Sequence, residues 1–385
     1  NKNFHIFDVY KYKYIINIYF YSISFKIAFA PTTPLLPTLK TLLFLIFFII
    51  SLSSSNVFAA PTHVTEYDVE SEEADITGIA FNPDGTKMFI VGIIGNEVNE
   101  YSLSVGFDLS STITVFSPLD VSAQDNKVQD VAFNSDGTVI FVIGKQNANI
   151  DSWLLSAPYD LSGVHATNDL IATTALGGNP RALKFNPDGT KMFIVGQAGN
   201  DLNEYALSTA FDVSSASYTT EGCDFKDNDP VTNKITAMDF NSDGTLLRVV
   251  SRSTDVVHEF TLDTGFSMAS DCSDYDADTS SDSFNSTEAK PEGMAFNDDG
   301  TKMFIVGSQK DNVYEYTLST AYDVTDDGAT LASALDISDQ EGVPRALEFS
   351  SDGTKMFIVG TGNGNVEINI YSLTTAWDIS TAQHK

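Results

Sequence analysis

The segment Phe185–Gly196, F-N-P-D-G-T-K-M-F-I-V-G, decides the fold, because close copies of it recur along the chain. Each copy begins with a phenylalanine, called here the anchor, and successive anchors are 52 to 56 residues apart. A repeat at a nearly fixed period is typical of architectures that stack one supersecondary unit many times. The six anchors are Phe81, Phe133, Phe185, Phe240, Phe296 and Phe349.

A second mark, an aromatic residue usually followed by Asp, comes after every anchor. It lies 26 residues after the anchor in five units and 28 residues after it in the last unit. The nearly constant offset indicates that all units share one internal structure. The marks are Phe107-Asp108, Tyr159-Asp160, Phe211-Asp212, Phe266-Ser267, Tyr322-Asp323 and Trp377-Asp378.

Each unit is predicted to contain four short strands, a to d. Strand a ends at the anchor, and Asn-Pro-Asp-Gly then favours a tight turn, because Pro presets φ and Gly accepts a positive φ. Strand b, T-K-M-F-I-V-G, is continuously apolar, which indicates a sheet covered on both faces. In the first unit, strand c is expected at Val98–Leu103 and strand d at Thr112–Leu119.

Four-stranded units of this length predict the blades of a β-propeller. A parallel solenoid is the competing architecture, but its units are usually shorter and it needs terminal caps. An extra strand is expected at His63–Val69, and the last unit, which ends at Lys385, is expected to lack strand d. The sequence therefore predicts an all-β protein: one six-bladed propeller over residues 61–385, closed by an N-terminal strand that completes the last blade and removes its open edge.

The repeated segment resembles the Ser-Pro-Asp-Gly hairpin of TolB-like and YVTN-type β-propeller repeat proteins. The resemblance covers nearly all of residues 61–385. It implies the propeller fold. It leaves the function open, because these families include lactonases, scaffolds and surface-layer proteins.

The first 60 residues differ in composition from the rest of the chain. Residues 1–34 are interpreted as upstream translation or a disordered leader, since no Met occurs before Met88. Residues 35–60 are predicted to be a signal peptide: Lys40 precedes an apolar run that is too short to span a bilayer, and small residues follow. Cleavage is expected after Ala59 or Ala60. An uncleaved anchor is the alternative, and a secreted protein (extracellular, periplasmic or at the cell surface) is the expectation.

The chain is strongly acidic, with a net charge of −31 at neutral pH. Dispersed negative charge repels nucleic acid and anionic membrane surfaces. The sequence therefore predicts no nucleic-acid partner and no membrane insertion of the mature chain, and it leaves the oligomeric state open.

One position per unit is a candidate for ligand binding. In propellers the loops joining b to c, and d to the next a, gather around one mouth of the central channel. The residue four before each anchor is expected to line that mouth, where mixed polar groups could bind a carboxylate, a sugar or a peptide. Groups that are merely hydrated or paired with each other are the alternative. The six residues are Thr77, Gln129, Arg181, Thr236, Glu292 and Arg345.

The sequence contains no G-x-S-x-G, C-x-x-C, H-E-x-x-H or phosphate-loop motif. A metal-dependent lactonase would need several acidic or amide side chains around one cation, and the mouth ring offers only Glu292. Asp130, Asp239 and Glu348, further along strand a, are possible contributors. Lys184 and Asp239 are interpreted instead as an ion pair between adjacent blades.

An acidic insertion in the fourth unit is a candidate calcium loop, and Ca²⁺ is the one cofactor that the sequence suggests. Its Asp residues fall at positions 1, 3, 5 and 9 of such a loop, but Thr279 and Asn285 replace the expected Gly and Glu. A solvated acidic loop is the alternative. The candidate ligands are Asp274, Asp276, Asp278 and Asp282.

Together these features predict a secreted or surface-associated, non-catalytic module that binds protein or carbohydrate at the channel mouth. Enzyme activity is left open, with the absence of catalytic motifs weighing against it. The alternatives are a lactonase-like metal-dependent hydrolase and a structural subunit of an extracellular assembly.

The chain has two cysteines, Cys223 and Cys272, which we expect to form a disulfide between neighbouring blades in an oxidising compartment. Mass spectrometry of the exported protein after thiol alkylation without reduction should find neither cysteine alkylated. Two alkylated thiols would contradict the pairing.

Overall fold

The computed structural model contains two compact units, Asn1–Ala60 and Pro61–Lys385. In the first unit, Asp8–Val9 pairs with Tyr12–Lys13 and Ile16–Asn17 pairs with Lys26–Ile27. No helix among the described residues is long and apolar enough to cross a membrane. Apart from these four short strands, the structure describes residues 66–384 except 173–178, 197–200, 225–233, 269–287, 289, 325–327 and 363–365. The leader, the signal peptide and its cleavage remain predictions.

The second unit is a ring of six small antiparallel sheets, which confirms the six-bladed propeller of four-stranded blades. Blade 1 contains Ile76–Phe81, Lys87–Gly92, Glu97–Leu103 and a broken strand d of Ile113–Val115 and Leu119–Asp120. Blade 2 contains Val128–Phe133, Val139–Gly144, Asn149–Leu155 and Val164–Ala172. Blade 3 contains Pro180–Phe185, Lys191–Gly196, Asp201–Leu207 and Ala216–Asp224. Blade 4 contains Ile235–Phe240, Leu246–Ser251 and Val256–Thr261. Blade 5 contains Pro291–Phe296, Lys302–Gly307, Asn312–Leu318 and Ala329–Asp336. Blade 6 contains Pro344–Phe349, Lys355–Gly360, Glu367–Leu373 and Ala382–His384. The segment in which strand d of blade 4 would fall lies outside the described residues.

The ring closes at blade 6 through a strand d made of two chain segments. Tyr67–Asp68 pairs with the beginning of strand c, and Ala382–His384 pairs with its end. Closure by the N-terminal strand is therefore confirmed, but the expectation that the last unit lacks strand d was wrong. The chain end supplies half of that strand, so both termini of the unit are fixed to the same neighbour.

The two sequence marks of each unit meet in the folded blade. In blade 1, Gly85 has φ of +69° in the a–b turn, and the Phe107 ring covers it so closely that an added Cβ would lie 2.2 Å from the ring. The Phe107 N–H also donates to the Gly85 carbonyl oxygen at 2.9 Å. Glycine is required here both by the backbone conformation and by the ring. The same arrangement occurs in all six blades, which explains the constant offset between the marks.

Aromatic contacts join each blade to the next. Phe81 packs on Phe107 of its own blade and on Phe357 from strand b of blade 6, with centroid distances of 5.2 and 4.6 Å. Tilted rings at these distances add attraction beyond burial of apolar area. In blade 4 the strand b phenylalanine is replaced by Arg248, whose guanidinium lies 5.1 Å from the Phe296 ring centroid. A cation–π contact therefore replaces the aromatic pair at that interface.

A buried glutamate in strand c connects neighbouring blades in four places. In blade 5, Glu315 Oε1 lies 2.6 Å from Lys302 Nζ, and its Oε2 accepts the Ile379 N–H of blade 6 at 2.8 Å. Lys302 also donates to the Trp377 carbonyl oxygen. We call this arrangement the latch. It recurs with Glu100 and Glu204, and Glu259 makes the same contact between blades with Arg248 in place of the lysine. The partners of these glutamates in the next blade are the N–H groups of Leu161, Met268 and Val324.

The latch generates a stability prediction. Glu315→Gln should lower the free energy of unfolding by about 2 kcal/mol, because the half-buried Lys302 loses its charged partner and the Ile379 N–H loses a charged acceptor. Chemical denaturation measures the change. Glu70→Gln, at an exposed carboxylate, is the control and should differ little from the wild type. Equal losses in both variants would contradict the role of the latch.

Candidate functional site

A β-bulge begins strand a of every blade and places the six candidate mouth residues. In blade 3, Pro180 pairs with Gly196 and Ala182 with Val195, so Arg181 is the extra residue between them. A bulged residue is left out of the ladder and its side chain is re-aimed. The bulged residues of the other blades are Thr77, Gln129, Thr236, Glu292 and Arg345.

The three neutral members of this ring bind backbone. Thr77 Oγ1 donates to the Val128 carbonyl oxygen of blade 2 at 2.9 Å, and Thr236 Oγ1 donates to the Pro291 carbonyl oxygen of blade 5 at 3.2 Å. Gln129 is buried, and its Nε2 donates to the Val128 carbonyl oxygen. These contacts stabilise the mouth and leave its charged members as the candidates for chemistry.

The charged members belong to one electrostatic cluster. Glu292 Oε1 accepts from Ser308 Oγ at 2.9 Å and lies 3.0 Å from Arg252 Nε of blade 4. Burial lowers the pKa of Arg181, the charge of Glu292 raises it again, and the charge of Arg345 lowers it further. The Glu292 side chain is 3% exposed, so its charge is held out of bulk water by these partners.

Four functional residues of the mouth were not identified from the sequence. Lys145, Arg252 and Ser308 are each the first residue after strand b, and the N–H of each donates to the carbonyl oxygen of the residue six before its blade's anchor. In blade 1, the residue six before the anchor is Asp75. Its pKa is raised by burial and lowered by Arg345 and Arg181. Aligning the units at the end of strand b would have revealed the three residues that follow it.

Buried carboxylates hold the loops of the mouth in place. Glu73 accepts the N–H groups of Asp75, Ile94 and Gly95 at 2.9 to 3.2 Å. An added Cβ on Gly92 would lie 2.3 Å from the Glu73 carboxyl carbon, so the glycine that ends strand b is needed for this packing. Equivalent carboxylates in other blades are Asp125, Glu288 and Glu341.

A second charged cluster lies deeper in the channel, one to three residues before the anchors. Lys184 Nζ is 3.2 Å from Asp239 Oδ1, so the interpretation of this pair as a link between adjacent blades is confirmed. The surrounding protein raises the pKa of Glu348 to about 7, although its side chain is exposed to the channel, and that of the half-buried Asp130 to about 6, while Lys184 lowers both. The Lys184 side chain is 48% exposed, yet protein surrounds it. We conclude that the cluster faces channel water inside the ring.

The remaining sequence-based candidates stay predictions. The acidic insertion with Asp274, Asp276, Asp278 and Asp282 lies outside the described residues, so the calcium loop stays a prediction. Cys223 belongs to strand d of blade 3, opposite Leu202, while Cys272 lies outside the described part of the chain.

Comparison with known proteins shows the fold. No family model and no curated protein matches this chain. Among solved structures, a putative 6-phosphogluconolactonase from Bacteroides uniformis is 12% identical, with a TM-score of 0.51 over 77% of this chain and 81% of the other. A luciferin-regenerating enzyme is 9% identical, with a TM-score of 0.52 over 83% and 97%. A periplasmic gluconolactonase from Pseudomonas aeruginosa is 12% identical, with a TM-score of 0.49 over 80% and 83%.

The main functional interpretation of the sequence, a non-catalytic binding module, is wrong. One of the similar structures, the putative 6-phosphogluconolactonase, is named as an enzyme and not as a binding module, and this finding overturns the interpretation. The six mouth positions alone did not reveal the charged cluster, because the partners of Glu292 come from the b–c loops.

The channel cluster predicts a pH dependence of stability. The folded-state pKa of Glu348, about 7, lies above its ordinary value of 4.5, so the folded protein binds more protons than the unfolded chain between these values. Stability from this group is therefore present at low pH and lost as the pH rises toward 7. Glu348→Gln should flatten the fall in urea midpoint between pH 5 and pH 8. An unchanged slope would contradict the assignment.

Proposed function

We propose that this propeller is a lactonase-like hydrolase that opens a cyclic ester at the channel mouth. The carrying observation is Glu292, a buried carboxylate held by Arg252 and Ser308 beside Arg181. The name of the Bacteroides uniformis structure, a putative 6-phosphogluconolactonase, supports the reaction class. Carbohydrate is one of the two ligand classes expected from the sequence, the other being protein, and a sugar lactone belongs to it.

Glu292 is the proposed general base. Both described contacts of its carboxylate use Oε1, which fixes the group and leaves Oε2 to accept a proton from water. The water oxygen then attacks the lactone carbonyl carbon, and the carbonyl oxygen gains negative charge. Arg181 is the proposed stabiliser of this oxyanion, because a fixed cation out of bulk water acts strongly there. The ring C–O bond breaks, the leaving oxygen takes the proton from Glu292, and a hydroxy acid results.

The metal-dependent version of this reaction does not fit the mouth. Arginines surround Glu292, and a cation placed there would be repelled by Arg181 and Arg252. Among the residues that the structure describes, no group of three or more His, Cys, Asp or Glu side chains could hold a metal ion. The proposed steps therefore use protein groups and water.

We also propose that the protein is exported, because residues 35–60 have the pattern of a signal peptide. We likewise propose that the repeated hairpin is related to that of TolB-like and YVTN-type propellers. The two proposals concern location and ancestry, and the hydrolase proposal depends on neither.

Replacing the base is the direct test of the reaction. Glu292→Gln keeps the shape of the side chain but removes its basicity, and should lower kcat for lactone opening at least about 100-fold. A pH-stat assay of residues 61–385 with five- and six-membered sugar lactones measures the acid released.

Asp298→Asn is the matched control, because Asp298 is exposed in the a–b turn that follows the opposite end of the same strand of blade 5. It should retain the wild-type rate. Full activity in Glu292→Gln would remove Glu292 as the base, and a wild-type protein that opens none of the lactones would overturn the function.

A further inference from the structure

We infer that the ring opens at two seams, between blades 6 and 1 and between blades 2 and 3, so that blades 1 and 2 move together as one wall of the channel mouth. The inference depends on the latches that hold the other four interfaces. It rests on the proposed function only for the role of the mouth, and the opening can be measured without any lactone.

The first argument is that both seams lack the latch. A latch needs a carboxylate in strand c, at the residue paired with the strand b phenylalanine, as Glu315 is in blade 5. In blade 6 this residue is Ile370, paired with Phe357, and in blade 2 it is Ser152, paired with Phe141. Neither side chain has a charged oxygen, so both seams lack the charge-assisted contact that joins the other blades.

The second argument is that the partners of a latch are present at the seam between blades 6 and 1 but stay unjoined. Lys355 begins strand b of blade 6, and among the described residues it makes no ion pair. The N–H of Leu109 in blade 1 corresponds to that of Ile379 in the latch of blade 5, and no carboxylate in the described part of the chain accepts it. Leu109 is buried, and an unpaired buried N–H destabilises the closed seam.

The mouth end of the same seam also has no polar link. Asp75 of blade 1 and Arg345 of blade 6 carry opposite charges there, but within the described residues no ion pair joins them. Asp75 Oδ1 and Arg345 Nε are both buried and both without a hydrogen-bond partner in the described structure. Buried polar atoms are normally satisfied, so these two weaken the closed seam instead of stabilising it.

Apolar packing does not compensate for the missing latches. The ring centroids of Phe81 and Phe357 are 4.6 Å apart at the seam between blades 6 and 1, and those of Phe304 and Phe349 are 4.5 Å apart at the latched interface between blades 5 and 6. The interfaces therefore differ in their polar contacts and not in this aromatic one.

The seam between blades 2 and 3 is the better held of the two. Its anchor contact, Phe141 on Phe185, has a centroid distance of 4.5 Å. Asp130 of blade 2 also interacts with the Leu183 N–H of blade 3. We therefore expect this seam to open less than the seam between blades 6 and 1.

The two seams divide the ring into a pair of blades and an arc of four. Within the arc, Lys184–Asp239 joins blades 3 and 4, and Arg252–Glu292 joins blades 4 and 5, in addition to the latches. Rotation of one rigid group of blades against another is a common way in which packed proteins move. The motion would widen the mouth and leave Glu292 with its partners. The mouth residues on the moving wall are Asp75, Thr77, Gln129 and Lys145.

Thiol labelling of the folded protein, residues 61–385, tests the inference with three cysteines at one position of strand b. Val359→Cys lies at the seam between blades 6 and 1, Ile143→Cys at the seam between blades 2 and 3, and Val306→Cys at the latched interface between blades 5 and 6. All three native side chains are at most 1% exposed, so a reagent reaches the cysteines only when an interface opens.

We expect Val359→Cys to react at least about tenfold faster than Val306→Cys, with Ile143→Cys between them, because each latch contributes a charge-assisted hydrogen bond. Wild-type protein gives the background from Cys223 and Cys272. Urea denaturation gives the labelling rate expected from global unfolding of each variant, and only faster labelling counts as opening of a seam.

Moving the latch tests its role directly. Glu315→Gln, added to Val306→Cys, should raise the labelling rate about tenfold, because the latched interface then resembles a seam. Ile370→Glu, added to Val359→Cys, should lower the rate, because Lys355 and the Leu109 N–H gain a carboxylate. Glu70→Gln, at an exposed carboxylate, is the matched control and should change neither rate. If Ile370→Glu fails to fold by thermal melting, Glu315→Gln decides alone.

The two proposals fail separately. A seam cysteine labelled no faster than Val306→Cys overturns the inference, and so does a rate at Val306→Cys that Glu315→Gln leaves unchanged. These results do not affect the hydrolase, since no lactone is present. Fast labelling at both seams of a protein that opens no lactone keeps the seams and removes the hydrolase.

Discussion

The structure depends on one aromatic contact repeated around the ring. Each anchor phenylalanine is held between the aromatic mark of its own blade and, at five interfaces, a strand b phenylalanine of the preceding blade, as Phe349 is by Trp377 and Phe304. The mark in turn covers the positive-φ glycine of the a–b turn. Turn geometry, blade closure and contact between blades are therefore fixed together, and a change in any one of these groups affects the other two.

The interface between blades 4 and 5 shows how strong this constraint is. There Arg248 replaces the phenylalanine, and Leu246 replaces the lysine of the latch. Arg248 compensates for both, since it lies over Phe296 and stands 3.7 Å from Glu259. The guanidinium can do this because it is planar, so that it stacks, and charged, so that it still pairs. Packing at the interface is retained although its chemistry differs.

The fold was predictable because the repeated residues interact locally, within one unit or with the next. Anchor spacing gave the blade number, and the orphan strand at Tyr67–Asp68 gave the closure. The site was less predictable. The position four before the anchor places Glu292 in the mouth ring, but its partners Arg252 and Ser308 follow strand b in two different blades. Contacts across blades depend on the curvature of the ring, which no single unit specifies.

The bulge explains why function varies where the fold does not. On either side of Arg181, Pro180 and Ala182 remain paired with strand b, so the bulged side chain contributes little to the ladder. Its identity can change without loss of strand pairing, and across the six blades it is Thr, Gln, Arg, Thr, Glu and Arg. The residues that follow strand b have the same freedom, because their loops are held by buried carboxylates such as Glu73. The repeat thus supplies two rings of side chains at one mouth whose identities can differ between copies of one rigid hairpin.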